Sequence, residues 1–269
     1  MNQFSTDILI GTSGYDYPEW KGVFYPETLN RKDFLSYYAT RFNALELNNT
    51  FYNMPTAQRM LSFYERSEGR LQFSVKACRL LTHEPGADWM LQAKLFREAV
   101  VPLLEKSALC TLLFQFPQSF HYTIENRLYL AKLMDEFCDF PMIIEFRHVE
   151  WVRESVLAGL EERSAGIAFC DMPELKYLPD GKTVRLPFAG PVAYIRLHGR
   201  NAGAWYSSEN SSNGSSRYTY DYTDEELKAF LPVIKSAVIT GKKPVVFFNN
   251  HPNGSGAKNA RRLGELLQE

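Results

Sequence analysis

Short apolar runs alternate with longer amphipathic segments along most of the chain. The short runs are rich in β-branched and aromatic residues and have turn formers close by. They predict strands at Ile8–Thr12, Ala44–Asn48, Leu71–Ala77, Thr111–Phe116, Met142–Phe146, Gly166–Cys170, Val192–His198 and Pro244–Asn249. Helical spacing between them predicts helices at Lys32–Phe42, Ala57–Arg66, Asp88–Lys106, Ile124–Cys138, Glu150–Arg163, Asp224–Val238 and Ala257–Leu267. Thr223 and Glu226 have the spacing of a capping box, and Leu227, Phe230, Leu231, Ile234 and Val238 form an apolar stripe behind it. Pro102 and Pro232 are expected to kink or split the helices that hold them.

Eight strands in βα alternation within 269 residues match a single α/β domain, a (β/α)8 barrel of the TIM type spanning residues 1–269. An open doubly wound sheet is the alternative, but no G-x-G-x-x-G follows a strand. The unit after the sixth strand is irregular, because Met172–Pro191 is proline-rich and shows no helical pattern. Asn201–Thr223, after the seventh strand, is too polar for a core and longer than most connections. It reads either as a floppy insertion or as a lid whose tyrosines touch a ligand.

Composition narrows the class. Hydrophobic residues at 45% and charged residues at 23% exclude global disorder, a fibre and a coiled coil. The net charge of -1 argues against a polybasic tail or a cationic membrane binder, while leaving room for a local basic mouth. Met1–Gly11 has neither a basic flank nor a long apolar stretch, and no apolar run approaches the roughly 20 residues of a membrane span. The expectation is a soluble cytoplasmic protein. Cys78, Cys110, Cys138 and Cys170 are widely spaced without a C-x-x-C pair, so they are expected to be reduced thiols packed as small apolar groups.

Polar residues recur at the carboxyl ends of the predicted strands, where barrels carry their sites. Glu46 and Asn48 share a face of the second strand, Glu145 and Arg147 end the fifth, and Arg196 and His198 end the seventh. Lys76 closes the third, Gln115 lies near the end of the fourth, Asp171 follows the sixth, and Asn249 ends the eighth. Burying so much charge for stability alone is unfavourable, so these residues are expected to line one concave mouth. Glu46, Glu145, Asp171 and His198 are the candidate acids and bases, and Lys76, Arg147 and Arg196, with Arg79 and Arg200, would attract an anion. His83 adds a second proton shuttle. A divalent metal is compatible with this set, although no H-x-x-x-H or D-x-D spacing supports one and no cofactor is evident. The glycines of Asn250–Gly256 open a helix at Ala257 as either an anion cradle or an ordinary capping turn.

Several longer motifs run through these residues. They include Ile10-Gly11-Thr12-Ser13-Gly14-Tyr15-Asp16-Tyr17-Pro18-Glu19-Trp20, Glu46-Leu47-Asn48-Asn49-Thr50-Phe51-Tyr52, and Lys76-Ala77-Cys78-Arg79 with Thr82-His83. Leu113-Phe114-Gln115-Phe116-Pro117, Glu145-Phe146-Arg147-His148 with Trp151, Arg196-Leu197-His198-Gly199-Arg200 and Phe248-Asn249-Asn250 follow. With these motifs the chain resembles the domain of unknown function 72 family, the YecE-like proteins, over nearly its whole length. That resemblance implies a TIM barrel and no established reaction. The chain departs from the usual pattern at Tyr15, where Trp is common, at Cys78 and Gln118, where Pro is common, and at Glu150, where Ser is common; the charged constellation is untouched.

Two functions from different classes follow. The first is an enzyme acting on an anionic, preferably phosphate-bearing substrate, with a hydrolase- or lyase-type reaction run by Glu145 or Glu46 as acid/base. The second is a non-catalytic barrel for a small anion or nucleic acid, with the same cations and Tyr15, Trp20, Phe51 and Tyr52 as stacking aromatics.

Overall fold

A computed structural model describes residues 8–179, 188–205 and 216–269. Eight strands pair in parallel in chain order: β1 (Leu9–Ser13), β2 (Ala44–Leu47), β3 (Gln72–Lys76), β4 (Leu109–Gln115), β5 (Met142–Glu145), β6 (Gly166–Asp171), β7 (Val192–Leu197) and β8 (Lys243–Phe248). β8 closes onto β1 with Leu9 opposite Val245 and Gly11 opposite Phe247. Every predicted strand is present within two residues at its ends, and closure selects the TIM-type barrel over the open sheet.

The helices are α1 (Phe34–Tyr38), α2 (Ala57–Arg66), α3 (Arg79–Thr82), α4 (Trp89–Glu105), α5 (Ile124–Glu136), α6 (Glu154–Glu162), α7 (Asp224–Lys228), α8 (Leu231–Ile239) and α9 (Ser255–Leu266). The segment predicted as one helix from Asp224 splits into α7 and α8. Pro232 takes the first turn of α8, where its missing N–H costs nothing. Thr223 and Glu226 form the capping box, with the Thr223 N–H donating to Glu226 Oε2 over 2.9 Å. Pro102 does not split α4. It lies in the last turn, and the carbonyl it frees belongs to exposed Glu98, where water can satisfy it. α3 has only four residues, too few to show a period in the sequence.

Strand alternation sorts the core into two layers. Ile10, Leu45, Val75, Phe114, Ile144 and Val246 point outward against the helices. Leu9, Ala44, Leu113, Ile143, Val245 and Phe247 point inward and fill the lower lumen. Each such side chain removed from water contributes on the order of 1.5–3 kcal/mol. Gly11 is needed at the β1–β2 seam, because a Cβ there would lie 2.0 Å from the Ala44 carbonyl oxygen. The space it leaves lets the buried Tyr38 hydroxyl donate to that carbonyl at 3.0 Å and accept from the Thr12 N–H at 2.8 Å.

All four cysteines are unpaired. Cys78 and Cys170 are buried as expected and Cys110 is half-buried, but Cys138 is exposed beyond the end of α5 and packs into no core. Within the irregular unit after β6, residues 172–179 and 188–191 contain no helix, and residues 180–187 lie outside the described chain. The serine-rich stretch 206–215 also lies outside it, so the lid expectation applies to its flanks only: single 3-10 turns at Ala202–Ala204 and Ser216–Tyr218. No described helix is long and apolar enough to cross a membrane.

Candidate functional site

Above the apolar layer, the inward positions become polar at the carboxyl ends of the strands. Arg196 at the end of β7 is the centre. Its Nε and Nη2 grip Glu46 of β2 bidentately at 2.9 and 2.6 Å, and its Nη1 donates to Glu145 of β5 at 2.8 Å. Glu46 also accepts from the Tyr194 hydroxyl at 2.7 Å. Tyr194 has spent its one proton there, so Ser74 donates to Tyr194 at 2.7 Å and Thr111 donates to Ser74 at 2.8 Å. A directed chain of hydroxyls thus crosses the lumen and ends on an ionised carboxylate. Burial acts to raise the Glu46 pKa, but the Arg196 charge and hydrogen bonds outweigh it and hold the group low.

Glu145 carries a second cation. Arg147 Nε lies 2.5 Å from Glu145 Oε1, in ion-pair contact but without a hydrogen-bond angle. Burial opposes ionisation of Glu145, and Arg147 and Arg196 more than overcome it, so this carboxyl is also held far below its usual range. The Arg147 side chain is 13% exposed. One Nη2 proton goes to His198 Nε2 at 3.1 Å, and one from Nη1 meets the Met172 sulfur at 3.9 Å. Apart from the Nε–H in its ion-pair contact, one N–H on each of Nη1 and Nη2 has no partner among the described residues.

His198 is buried and neutral. Burial and the charges of Arg147 and Arg196 push its pKa well down. Guanidinium groups only donate, so Nε2 must be the unprotonated nitrogen and Nδ1 carries the hydrogen. The 2.9 Å contact between Nδ1 and the Asn249 amide is then a bond from the ring to the amide oxygen, with the amide turned over. Trp205 and Tyr218 cover this corner. Their ring centroids lie 6.2 and 5.8 Å from that of His198, and the Arg147 guanidinium sits 5.9 Å from the Trp205 ring.

Lys76 stands opposite. Its Nζ donates to Gln115 Oε1 at 2.8 Å and lies 4.2 Å from the centre of the Phe51 ring. Gln115 is itself fixed by a bond to the Phe116 carbonyl at 2.9 Å. Burial first, and then Arg196 and Arg147, push the ammonium down to about 7. His83 meets the same Phe51 ring edge-on at 4.7 Å, and burial and Lys76 push it down to about 4. Asn48 is half-buried beyond β2, with a buried Oδ1 that has no partner.

The structure thus brings together Glu46, Lys76, Gln115, Glu145, Arg147, Arg196, His198 and Asn249, with Asn48 and His83 on the same side of the barrel. It sets the other candidates apart. Asp171 has the outward parity of Phe169 and is tied to Arg200 (2.9 Å) and the Tyr222 hydroxyl (2.7 Å), a latch between β6 and the chain after β7. Trp20 is fully buried and packs between Tyr17 and Tyr25 while its Nε1 donates to the His251 carbonyl at 2.8 Å, so it is a packing residue. Tyr15 packs against Tyr38 and Phe63 and lines a shallow surface cleft with Arg59 and Arg66. Arg79 is half-exposed and pairs with Glu84 at 3.5 Å. Residues that the strand-end reading missed include Trp205, Cys170 and Tyr194. Cys170 and Tyr194 share the inward parity of their strands, which is the signal that would have found them.

The glycine-rich turn after β8 is a packed capping turn rather than an open cradle. Gly254 is buried with φ +74, and a Cβ there would lie 2.8 Å from Val23. Among the described residues, two sets of side chains have metal-ligand chemistry. Glu145, Cys170 and His198 are close together, but two guanidiniums already neutralise that carboxylate and burial pushes the Cys170 thiol up, so a divalent cation does not fit. His121, His148 and Glu150 gather outside the lumen, with His121 Nδ1 at 3.2 Å from Glu150 Oε2. There the His148 Nδ1 lone pair accepts the Glu150 backbone N–H and the carboxylate accepts that of Tyr122, so the set closes on itself.

A family profile described as "Protein of unknown function DUF72" matches residues 9–269. The UPF0759 protein YunF of Bacillus subtilis (strain 168) is 27% identical over 97% of this chain and 94% of its own length. A DUF72 family protein from Thermotoga maritima MSB8 superposes with a TM-score of 0.87 at 32% identity, covering 97% of this chain and 99% of that one. A second, from Enterococcus faecalis V583, shares the fold with a TM-score of 0.79 at 23% identity over 97% and 96% of the two chains. The motifs at the strand ends, the closed barrel and these matches agree, and the chain belongs to the DUF72 family of proteins of unknown function.

Proposed function

We propose that the mouth of the barrel is the binding and reaction site of an enzyme for a small anionic substrate, with a phosphate or carboxylate held by Arg147. The observation that carries this reading is the Arg147 guanidinium: tied to Glu145 and His198, on a side chain that is partly open, and left with an Nη1 and an Nη2 N–H that have no partner among the described residues. The unpartnered Asn48 oxygen and the remaining Lys76 protons supply further polar contacts. In this reading Glu46 and Glu145 do not transfer protons. Each is ionised and committed to a guanidinium, and together they fix Arg196 and Arg147 in the lumen. The groups whose proton is loosely held near neutrality are on the other wall, at Lys76.

Binding of a panel of phosphoesters and carboxylic acids at low ionic strength, followed by product analysis for those that bind, tests the proposal. At least one compound should bind saturably to the wild type and at least tenfold more weakly to Arg147→Met. A panel with no binder would defeat it. The nucleic-acid reading draws on one feature, the exposed Tyr52 ring beside Phe51. It requires affinity for oligonucleotides that falls steeply with salt, whereas a single-anion pocket loses only modestly over the same range.

A further inference from the structure

We propose that Lys76 is a nucleophilic amine that forms a Schiff base with a carbonyl compound bearing the anionic group bound at Arg147. This rests on the anion reading of the mouth and adds the substrate class to it.

Lysine ammonium groups in a folded protein ordinarily reach water or a carboxylate. Lys76 does neither fully. It ends β3 with inward parity, is half-buried, and has the neutral Gln115 amide oxygen as its hydrogen-bond partner and an aromatic face beneath it. The two carboxylates that might have paired with it, Glu46 and Glu145, are taken by Arg196 and Arg147. Two guanidiniums on the same mouth repel its positive form. Desolvation beside other cations is the arrangement that makes a lysine amine nucleophilic at neutral pH.

The chemistry balances with what is present. The free Nζ lone pair attacks the carbonyl carbon, the C=O π pair moves to oxygen, and one amine proton follows to give a carbinolamine. The second amine proton leaves with the hydroxyl as water, giving the imine. His83, held neutral and edge-on to the Phe51 ring that Lys76 also meets, is the base assigned to those protons; its Nδ1 lies 2.9 Å from the Thr82 hydroxyl. Arg147 would hold the anionic end of the substrate meanwhile.

Formaldehyde with cyanoborohydride tests the amine without any knowledge of the substrate, because it reports imine formation at each lysine by peptide mass. At pH 7, Lys76 should be methylated roughly tenfold or more faster than the exposed Lys32 and Lys94, and the advantage should disappear by about pH 10, where ordinary lysines also lose their proton. Equal or slower modification of Lys76 at pH 7 overturns the proposal. Inorganic phosphate should slow the reaction at Lys76 alone. A fast Lys76 that phosphate leaves unprotected would break the anion reading and spare the amine. Phosphate binding with a sluggish Lys76 would do the reverse. For the substrate class, glycolaldehyde phosphate followed by borohydride should leave its mass on Lys76 of the wild type and on no residue of the mouth in Lys76→Met. Adducts confined to surface lysines would refute that assignment, and the wild-type arms decide the matter should the variant not fold.

Discussion

The lower and upper halves of the barrel interior come from the same strands, two or three residues apart, yet they solve different problems. Below, Leu9, Ile143, Val245 and Phe247 fill the lumen with groups that need no partner. Above, the buried Glu46, Arg196 and Glu145 and the partly buried Arg147 each need a particular counter-charge at a particular distance. Apolar side chains of equal volume would often be as stable or more so in the upper layer. On the proposed function, the charged layer is a device for holding Arg147 in place at the mouth rather than a source of stability. A second difference lies within the upper layer. The Glu46–Arg196 wall is saturated with hydrogen bonds, whereas the Lys76 ammonium has one hydrogen bond and an aromatic ring among the described residues. Saturated groups hold shape, and unsaturated ones are free to meet a ligand.

The largest effect should come from breaking the saturated wall. Arg196→Met leaves buried Glu46 without a cation and Glu145 with Arg147 alone, and chemical denaturation should show a loss of about 3–5 kcal/mol. In the apolar floor, Leu113→Ala should cost about 2–5 kcal/mol through lost burial and the cavity left behind, while leaving anion affinity at the mouth unchanged. Arg147→Met should weaken anion binding by roughly 1.5–3 kcal/mol, the size of a charged hydrogen bond, when measured by calorimetry on folded protein.

A smaller effect is a pH slope. His83 and His251 are each pushed from 6.5 to about 4, chiefly by burial. Below about pH 6.5 the unfolded chain takes up protons that the folded rings refuse. Stability should therefore be full above that pH and fall as the pH drops toward 4. Denaturant midpoints across this range should show a shallower fall in His83→Gln; an identical slope would mean that His83 is not buried neutral. The smallest effect belongs outside the lumen. Arg200 is 38% exposed where it meets Asp171, so Arg200→Met should cost about 1 kcal/mol or less and leave the mouth unaffected.

Much of this layout is legible in the sequence. Alternation along a parallel strand, together with the position of the polar residues at its carboxyl end, suffices to bring Glu46, Glu145, Arg147, Arg196 and His198 to one place. What alternation cannot show is which charge meets which. Arg196 and Glu46 are 150 residues apart and meet only because the barrel closes. For that reason the carboxylates read as free acids and bases in the sequence, although the structure shows them spent on guanidiniums. Asp171 misled for a related reason. It continues β6 with outward parity, and its partners Arg200 and Tyr222 come from a connection without any period. Tyr15 and Trp20 sit in the β1–α1 connection, where no repeat tells a packing aromatic from a stacking one.

The account turns on the unspent donors of Arg147, and the most direct measurement is calorimetric titration of inorganic phosphate into the wild type, Arg147→Met and Glu145→Gln at low ionic strength. Saturable binding is predicted in the wild type, with loss of at least tenfold in Arg147→Met. Glu145→Gln should fold less stably yet still bind phosphate. Phosphate affinity equal in wild type and Arg147→Met, or lost only in Glu145→Gln, would contradict the account.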